Sequence, residues 1–253
     1  MGFDLVYVLY VTFVCSIIDW LGYGMYNFGL NQPVVAGSIV GTLLGDPGTG
    51  IVIGGTLQLV YMGVVAVGAA IPVNKTTATT VSVALCIMTG INMDSAIALA
   101  VPVAVLGQLD QMLAWTLNSG LMHIADRYAD KGELNKMSHL QFVGSAIFFI
   151  TKAVPIFLCI YFGSPFVEMI NNNMPAWVQN WLTMATGMLP ALGFGMLLAL
   201  MYKPKYIPFF IIGFIMSAVF GGSLLAIALL GVAFALIVYF YVPAIKKKKG
   251  GNL

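Results

Sequence analysis

The stretch Gly41–Leu59, GTLLGDPGTGIVIGGTLQL, is apolar enough to lie in a membrane. It nevertheless carries six glycines, is interrupted by Asp46-Pro47 and is closed by the polar Gln58. A helix that serves only as an anchor has no use for such a segment. Proline lacks an N–H and disfavours helix at the residue before it, so a helix entering this stretch breaks at Asp46-Pro47. At membrane depth a break is tolerated only where protein or an aqueous cavity receives the freed backbone groups, and breaks of this kind line transport sites. Gly41 and Gly45 form one GxxxG pair, Gly50 and Gly54 a second, and Gly55, Gly63 and Gly68 follow. Spacing of this kind lets helix backbones touch. Tight packing alone accounts for the glycines but leaves Asp46-Pro47 without a purpose.

Composition fixes the solvent around this stretch. Of 253 residues 60% are hydrophobic and 8% charged, mean hydropathy is +0.96, and a soluble domain has about 25% charged residues. The chain is therefore expected to be an all-α, polytopic membrane bundle, because lipid offers backbone groups no outside partner. Runs approaching the ~20 residues needed to cross a bilayer lie at 4–28, 48–71, 96–120, 142–163, 178–201 and 207–242, the last long enough for two spans. Shorter runs at 33–45 and 77–91 are expected to be broken or re-entrant. The total is about six to eight spanning helices.

No stretch has the composition of a separate soluble domain. The longest polar segment, HIADRYADKGELNKMSHLQ at 123–141, reads as a helix leaving the membrane, a turn at Gly132 and a returning helix. Residues 1–245 are expected to form one membrane domain, with 246–253 as a basic tail. The N-terminus lacks a basic n-region and a small-residue cleavage site, so no cleavable signal peptide is expected; MGFD also fails the myristoylation pattern. Cys15, Cys86 and Cys159 have no metal or redox spacing and are expected to be packing thiols. Basic residues cluster at Arg127, Lys131 and Lys136, at Lys203 and Lys205, and at Lys246 to Lys249. The positive-inside rule puts all three clusters and the C-terminus in the cytoplasm. The segment around Glu168, without Lys or Arg, and the N-terminus with Asp4 are then expected outside.

Polar residues flank the broken stretch on both sides. Upstream is NFGLNQP, with Asn27, Asn31, Gln32 and Pro33; downstream are GAAIPVNKTTATT and GQLDQ, the latter with Gln108, Asp110 and Gln111. Amides both donate and accept hydrogen bonds, which suits a polyhydroxyl ligand such as a sugar. The candidate substrate-binding residues are Gln58, Asn31, Gln32, Asp46 and Gln108, carried by the glycines Gly41, Gly45, Gly50, Gly54 and Gly55. Ionisable groups within the apparent spans are Asp19, Asp46, Asp110 and Lys152. These define no evident proton relay, although an ion-coupled transporter using one of the aspartates stays open as an alternative, as does a membrane scaffold in which the glycines only pack.

The pattern Gly41, Gly45-Asp46, Gly50, Gly54-Gly55-Thr56-Leu57 and an acid or amide at Gln58 resembles the signature of the IIC membrane component of the mannose/fructose/sorbose family of the bacterial phosphoenolpyruvate-dependent sugar phosphotransferase system. The resemblance continues through GAAIP at 68–72, LAVPVAVLGQ at 99–108, HIADRYADKGEL at 123–134 and IPFFIIGF at 207–214. A mannose-transporting member carries Arg before the kink proline and Glu at the end of the signature. This chain has Gln32 and Gln58 there, which keep hydrogen-bonding capacity and remove charge.

The resemblance implies group translocation of a hexose-type sugar such as mannose, fructose, sorbose or an amino sugar. It implies a IID membrane partner, cytoplasmic IIA and IIB subunits with the phosphorylating histidine on IIB, trimers of IIC and IID pairs, the inner membrane as location, and no cofactor. His123 and His139 are then not phosphocarriers. A phosphoryl group adds about −1.5 to −2 charges, so the product is expected not to re-enter an uncharged amide site.

Overall fold

The computed structural model describes residues 5–22, 29–65, 71–173 and 175–249, excepting the side chains at 164–173, 179, 182, 224 and 241–249. Asp4, Asn27, Gly68 and the last four residues of the tail lie outside the described residues. The helices are α1 (Leu5–Gly22), α2 (Pro33–Leu43), α3 (Pro47–Val60), α4 (Lys75–Thr89), α5 (Met93–Asp130), α6 (Leu134–Asn173), α7 (Ala176–Met201), α8 (Ile207–Ala218) and α9 (Leu224–Lys249). One 3₁₀ turn, Pro204–Tyr206, precedes α8. Contacts group the chain into two units, Met1–Leu197 and Leu198–Leu253.

Four helices among the described residues, α1, α5, α6 and α7, are long and apolar enough to cross a membrane. At 1.5 Å per residue, α5 with 38 residues and α6 with 40 reach about 57 and 60 Å. Both exceed the ~30 Å hydrocarbon core, and so they project out of it as the segment 123–141 anticipated. The turn between them contains Gly132 at φ 70°.

The stretch 48–71 is not the full span that its hydropathy suggests. Helix α3 has only 14 residues and α2 only 11, and together they form an antiparallel hairpin that replaces one expected span and one short element. The cause is local: Gly45 turns at φ 89°, Asp46 caps α3 by accepting from Thr49 N–H at 3.1 Å and Thr49 Oγ1 at 2.6 Å, and Pro47 starts the helix where no N–H is needed. The run 207–242 likewise begins with a helix of only 12 residues, α8. Lys246 to Lys249 continue α9 as backbone.

Glycine sets the distance between the two arms. A methyl group at Gly37 would lie 2.7 Å from the Gly50 carbonyl oxygen, one at Gly41 2.7 Å from Gly50 Cα, and one at Gly54 2.7 Å from the Pro33 carbonyl oxygen. The backbones are therefore in direct contact. Gly55, next in sequence to this seam, has no atom within 4 Å of the same construction.

Helix α4 runs through the middle of the first unit, against α1, α2, α3, α5 and α6. Every residue from Thr76 to Cys86 is buried. Three of its hydroxyls turn onto its own backbone, Thr79 Oγ1 donating to the Lys75 carbonyl at 2.8 Å, Thr80 Oγ1 to the Thr77 carbonyl at 3.2 Å and Thr89 Oγ1 to the Leu85 carbonyl at 2.7 Å, which lets polar residues lie in an apolar place. Asn74 caps the start of α4, accepting from Thr76 and Thr77 N–H at 3.0 and 3.1 Å, and Gly90 ends it at φ 67°. Cys15 and Cys86 are buried.

Gly41→Ala and Gly50→Ala are expected to lower the melting temperature of the purified full-length chain, since overpacking costs about 1–3 kcal/mol. Gly55→Ala is expected to leave it unchanged. Equal shifts at positions 50 and 55 in a thermal melt would show that the seam is not the tight contact described.

Candidate functional site

Two polar clusters meet at the N-terminal end of α4, one on each side of four consecutive residues, Asn74-Lys75-Thr76-Thr77. The first lies where α2 begins and α3 ends. Gln58 Nε2 donates to Gln32 Oε1 at 3.2 Å, Lys75 Nζ donates to the same oxygen at 3.0 Å, and Val34 N–H reaches Gln58 Oε1 at 3.5 Å. Gln32, Gln58 and Lys75 are each half-buried. Thr76 Oγ1 donates to the Asn31 carbonyl at 2.9 Å, which ties the kink before α2 to α4. The buried Asn31 Oδ1 accepts no hydrogen bond among the described residues.

The second cluster is fully inside the protein. Asp19 Oδ2 on α1 accepts from Asn74 Nδ2 at 2.8 Å, from Thr77 Oγ1 at 2.7 Å and from Lys152 Nζ on α6 at 3.0 Å. Lys152 Nζ also donates to Gln111 Oε1 at 3.1 Å and lies 3.8 Å from Asp110 Oδ1. Asp19, Asp110 and Lys152 are at most 1% exposed. Glycine again permits the approach, since a methyl group at Gly107 on α5 would sit 2.7 Å from Asn74 Cβ. A buried charge is tolerable only when paired and hydrogen-bonded, and Asp19 meets that condition with three donors on one oxygen.

Of the residues singled out from sequence, the fold brings Gln32 and Gln58 into contact and places Asn31 one residue away. Gln108 makes no hydrogen bond with them among the described residues; its Nε2 donates to the Ile71 carbonyl at 2.6 Å and holds the segment that leads into α4. Asp46 does not join the group. It caps α3 at the far tip of the hairpin, exposed and about 18 Å of helix from Gln58. Gly41, Gly50 and Gly54 form the seam, Gly45 makes the turn, and Gly55 faces away from it. His123 and His139 are exposed on α5 and α6.

Lys75, Asn74 and Thr77 were not recognised from sequence, although their signal was present. A lysine between two apolar runs, preceded by an Asn able to cap a helix and followed by four threonines in five positions, marks a helix start with a cation where the helix end disfavours one. The amides expected from sequence have a lysine against them: Lys75 Nζ donates to Gln32. Asp19, Asp110 and Lys152 were noted as intramembrane ions, but only the fold shows them as one cluster.

A helical membrane protein with a glycine-seamed hairpin that presents amides and a lysine beside a buried polar core has the features of a solute permease. Comparison with known proteins makes this specific. The family model described as the sorbose-specific IIC component of the phosphotransferase system matches residues 5–237. The sorbose-specific EIIC component of Lacticaseibacillus casei is 32% identical over 90% of this chain and 82% of its own length. The N-acetylgalactosamine permease IIC component 1 of Escherichia coli K12 is 32% identical over 91% of this chain and 85% of its own. A solved complex of the mannose transporter ManYZ with microcin E492 contains a chain 30% identical to this one, with a TM-score of 0.60 and coverage of 94% and 96%. The chain belongs to the sorbose/mannose-type IIC permease family and is a multi-pass membrane component of a sugar phosphotransferase system, with a translocating role.

Within the buried cluster the two carboxylates are not equivalent. Asp19→Asn and Lys152→Met are each expected to destabilise the folded chain by about 3–5 kcal/mol, the cost of leaving a buried charge without its partner. Asp110→Asn, which gives up only a 3.8 Å contact, should cost much less. Denaturation of the three variants in detergent checks the order, and a Asp110→Asn effect equal to that of Asp19→Asn would refute it.

Proposed function

We propose that this chain binds a hexose-type sugar at the cluster formed by Gln32, Gln58, Lys75 and Asn31, and carries it across the inner membrane for phosphorylation on the cytoplasmic side. The observation that carries the reading is the Gln58–Gln32 amide pair, held by Lys75 at the base of the re-entrant hairpin. Paired amides present both donors and acceptors to hydroxyl groups. The glycine seam below them, closed backbone against backbone, holds the two amides at a fixed separation. Mannose, fructose, sorbose and amino sugars such as N-acetylgalactosamine are the candidate substrates.

The reaction is divided among subunits. This chain and a IID membrane subunit form the translocating pair, assembled as a trimer of pairs, and a IIB subunit charged by IIA brings the phosphoryl group. On IIB the phosphorus–nitrogen bond of a phosphohistidine breaks, a phosphorus–oxygen bond forms to a sugar hydroxyl, and the hydroxyl proton passes to the freed imidazole. This chain supplies position and selectivity, and the chemistry belongs to its partner. The reading rests on family membership together with a site that has amides and one lysine. The exposed His123 and His139 stand on α5 and α6, on either side of the turn at Gly132 and well removed in sequence from that site.

Gln58→Ala is expected to leave assembly with IID intact and to weaken phosphoenolpyruvate-driven sugar uptake by the equivalent of about 1–3 kcal/mol, the cost of polar groups left unpaired. Proteoliposomes holding this chain and IID, supplied with the soluble subunits, provide the measurement. Uptake at the wild-type level would remove Gln58 from the site.

The cytoplasm is proposed to face the turn between α5 and α6, by the positive-inside rule, with the C-terminus on the same side and the N-terminus opposite. In a chain without Cys15, Cys86 and Cys159, a cysteine at Lys131 is then expected to resist an impermeant thiol reagent added to whole cells, and one at Asn172 to react. Labelling at position 131 would reverse the orientation.

A further inference from the structure

Lys75 is placed at a disadvantage on three counts. It is half-buried, and its Nζ has the neutral Gln32 Oε1 as its hydrogen-bonding acceptor. It is the first residue of α4, the end of a helix where the macrodipole disfavours a cation. Among the described residues no carboxylate lies within 4 Å of it, the ion pairs being Lys136 with Glu133 and Lys152 with Asp19 and Asp110.

The acid of the adjoining cluster is committed elsewhere: Asp19 is held by Lys152, Asn74 and Thr77. An ammonium has three donors, and Gln32 accepts from one of them. A sequence keeps a local arrangement this unfavourable where a function requires it. What would offset all three penalties is negative charge arriving with the ligand, because an anion against a half-buried ammonium interacts far more strongly than a hydroxyl does.

We infer that Lys75 receives an anionic substituent on the sugar bound at Gln32 and Gln58. This rests on the sugar site proposed above and names a chemistry for it. Two sources supply such a group: the phosphoryl group of the sugar phosphate before it leaves, or a carboxylate on an acidic sugar taken up as substrate. In either case the site tolerates the anion. Departure of the product then requires Lys75 to be released from it, and the charge of the product does not by itself expel it from the site.

The test uses the full-length chain assembled with its IID partner in membranes. Equilibrium binding of labelled mannose, fructose, sorbose and N-acetylgalactosamine identifies the neutral sugar. Competition is then measured with the phosphate ester of that sugar and with its uronic acid, in the wild type, Lys75→Gln and Lys75→Arg. The quantity read is the ratio of anionic to neutral affinity. Lys75→Gln is expected to lower that ratio about 10- to 100-fold, the worth of a hydrogen bond to a charged group, and Lys75→Arg to preserve most of it. Competition by the ester assigns the phosphoryl group to Lys75, and competition by the uronate assigns an acidic substrate. An unchanged ratio in Lys75→Gln, or failure of both anions to compete in the wild type, overturns the inference while leaving the neutral sugar site in place. If no neutral sugar binds the wild type, the sugar site itself fails, and direct binding of the labelled ester still reports on Lys75. Co-purification of each variant with IID excludes misfolding as the cause.

Discussion

The ion pair between Asp19 and Lys152 is the interaction on which the arrangement of the first unit depends. It joins α1 to α6, and through the same carboxylate oxygen it holds Asn74 and Thr77. Asn74 in turn caps α4, so one buried oxygen fixes where the central helix starts. The residue next to that cap is Lys75 and the one after it is Thr76, which reach Gln32 and the Asn31 carbonyl. The geometry of the amide cluster is thus inherited from a charge pair that no ligand needs to touch. Replacing such a pair with apolar residues is often neutral for stability. Here it would also release Asn74, and with it the placement of Lys75.

The hairpin makes the complementary contribution. Its two arms meet backbone to backbone through Gly37, Gly41, Gly50 and Gly54, which fixes the separation of Gln32, just before α2, from Gln58, near the end of α3. Tyr61, which follows α3, donates its hydroxyl to the Ala100 carbonyl at 3.1 Å and anchors that end against α5. Rigid support on both sides is what a hydrogen-bonding site requires if it is to discriminate between sugars that differ in one hydroxyl.

Much of this was legible in the chain itself. The membrane class followed from composition, the break from Asp46-Pro47, and the helix–turn–helix around Gly132 from alternating charge. The pairing of Gln32 with Gln58 was approached from sequence only as two separate polar points. Hydropathy misread 48–71 as one span because an apolar composition is the same for a crossing helix and for a short arm that turns back; the difference resides in Gly45 and the cap at Asp46. A carboxylate in an apolar run signals function by default, and the structure adds a local role for Asp46, whose oxygens accept from Thr49. Lys75 falls between apolar runs, where a lysine has the look of an interfacial residue. Pairing across 133 positions, as between Asp19 and Lys152, leaves no local pattern to read.

That separation has a consequence for the order in which the protein is built. The hairpin closes within residues 33–60, and contacts so local form quickly; it is complete in principle as soon as those residues have been synthesised. Asp19 is made before the hairpin, yet its lysine lies on α6 and follows five helices later in the chain. During that interval the carboxylate has no Lys152, and a lone charge within lipid is costly. Helix α1 is therefore made before the hairpin and is tied through Asp19 only after it, when α6 brings Lys152.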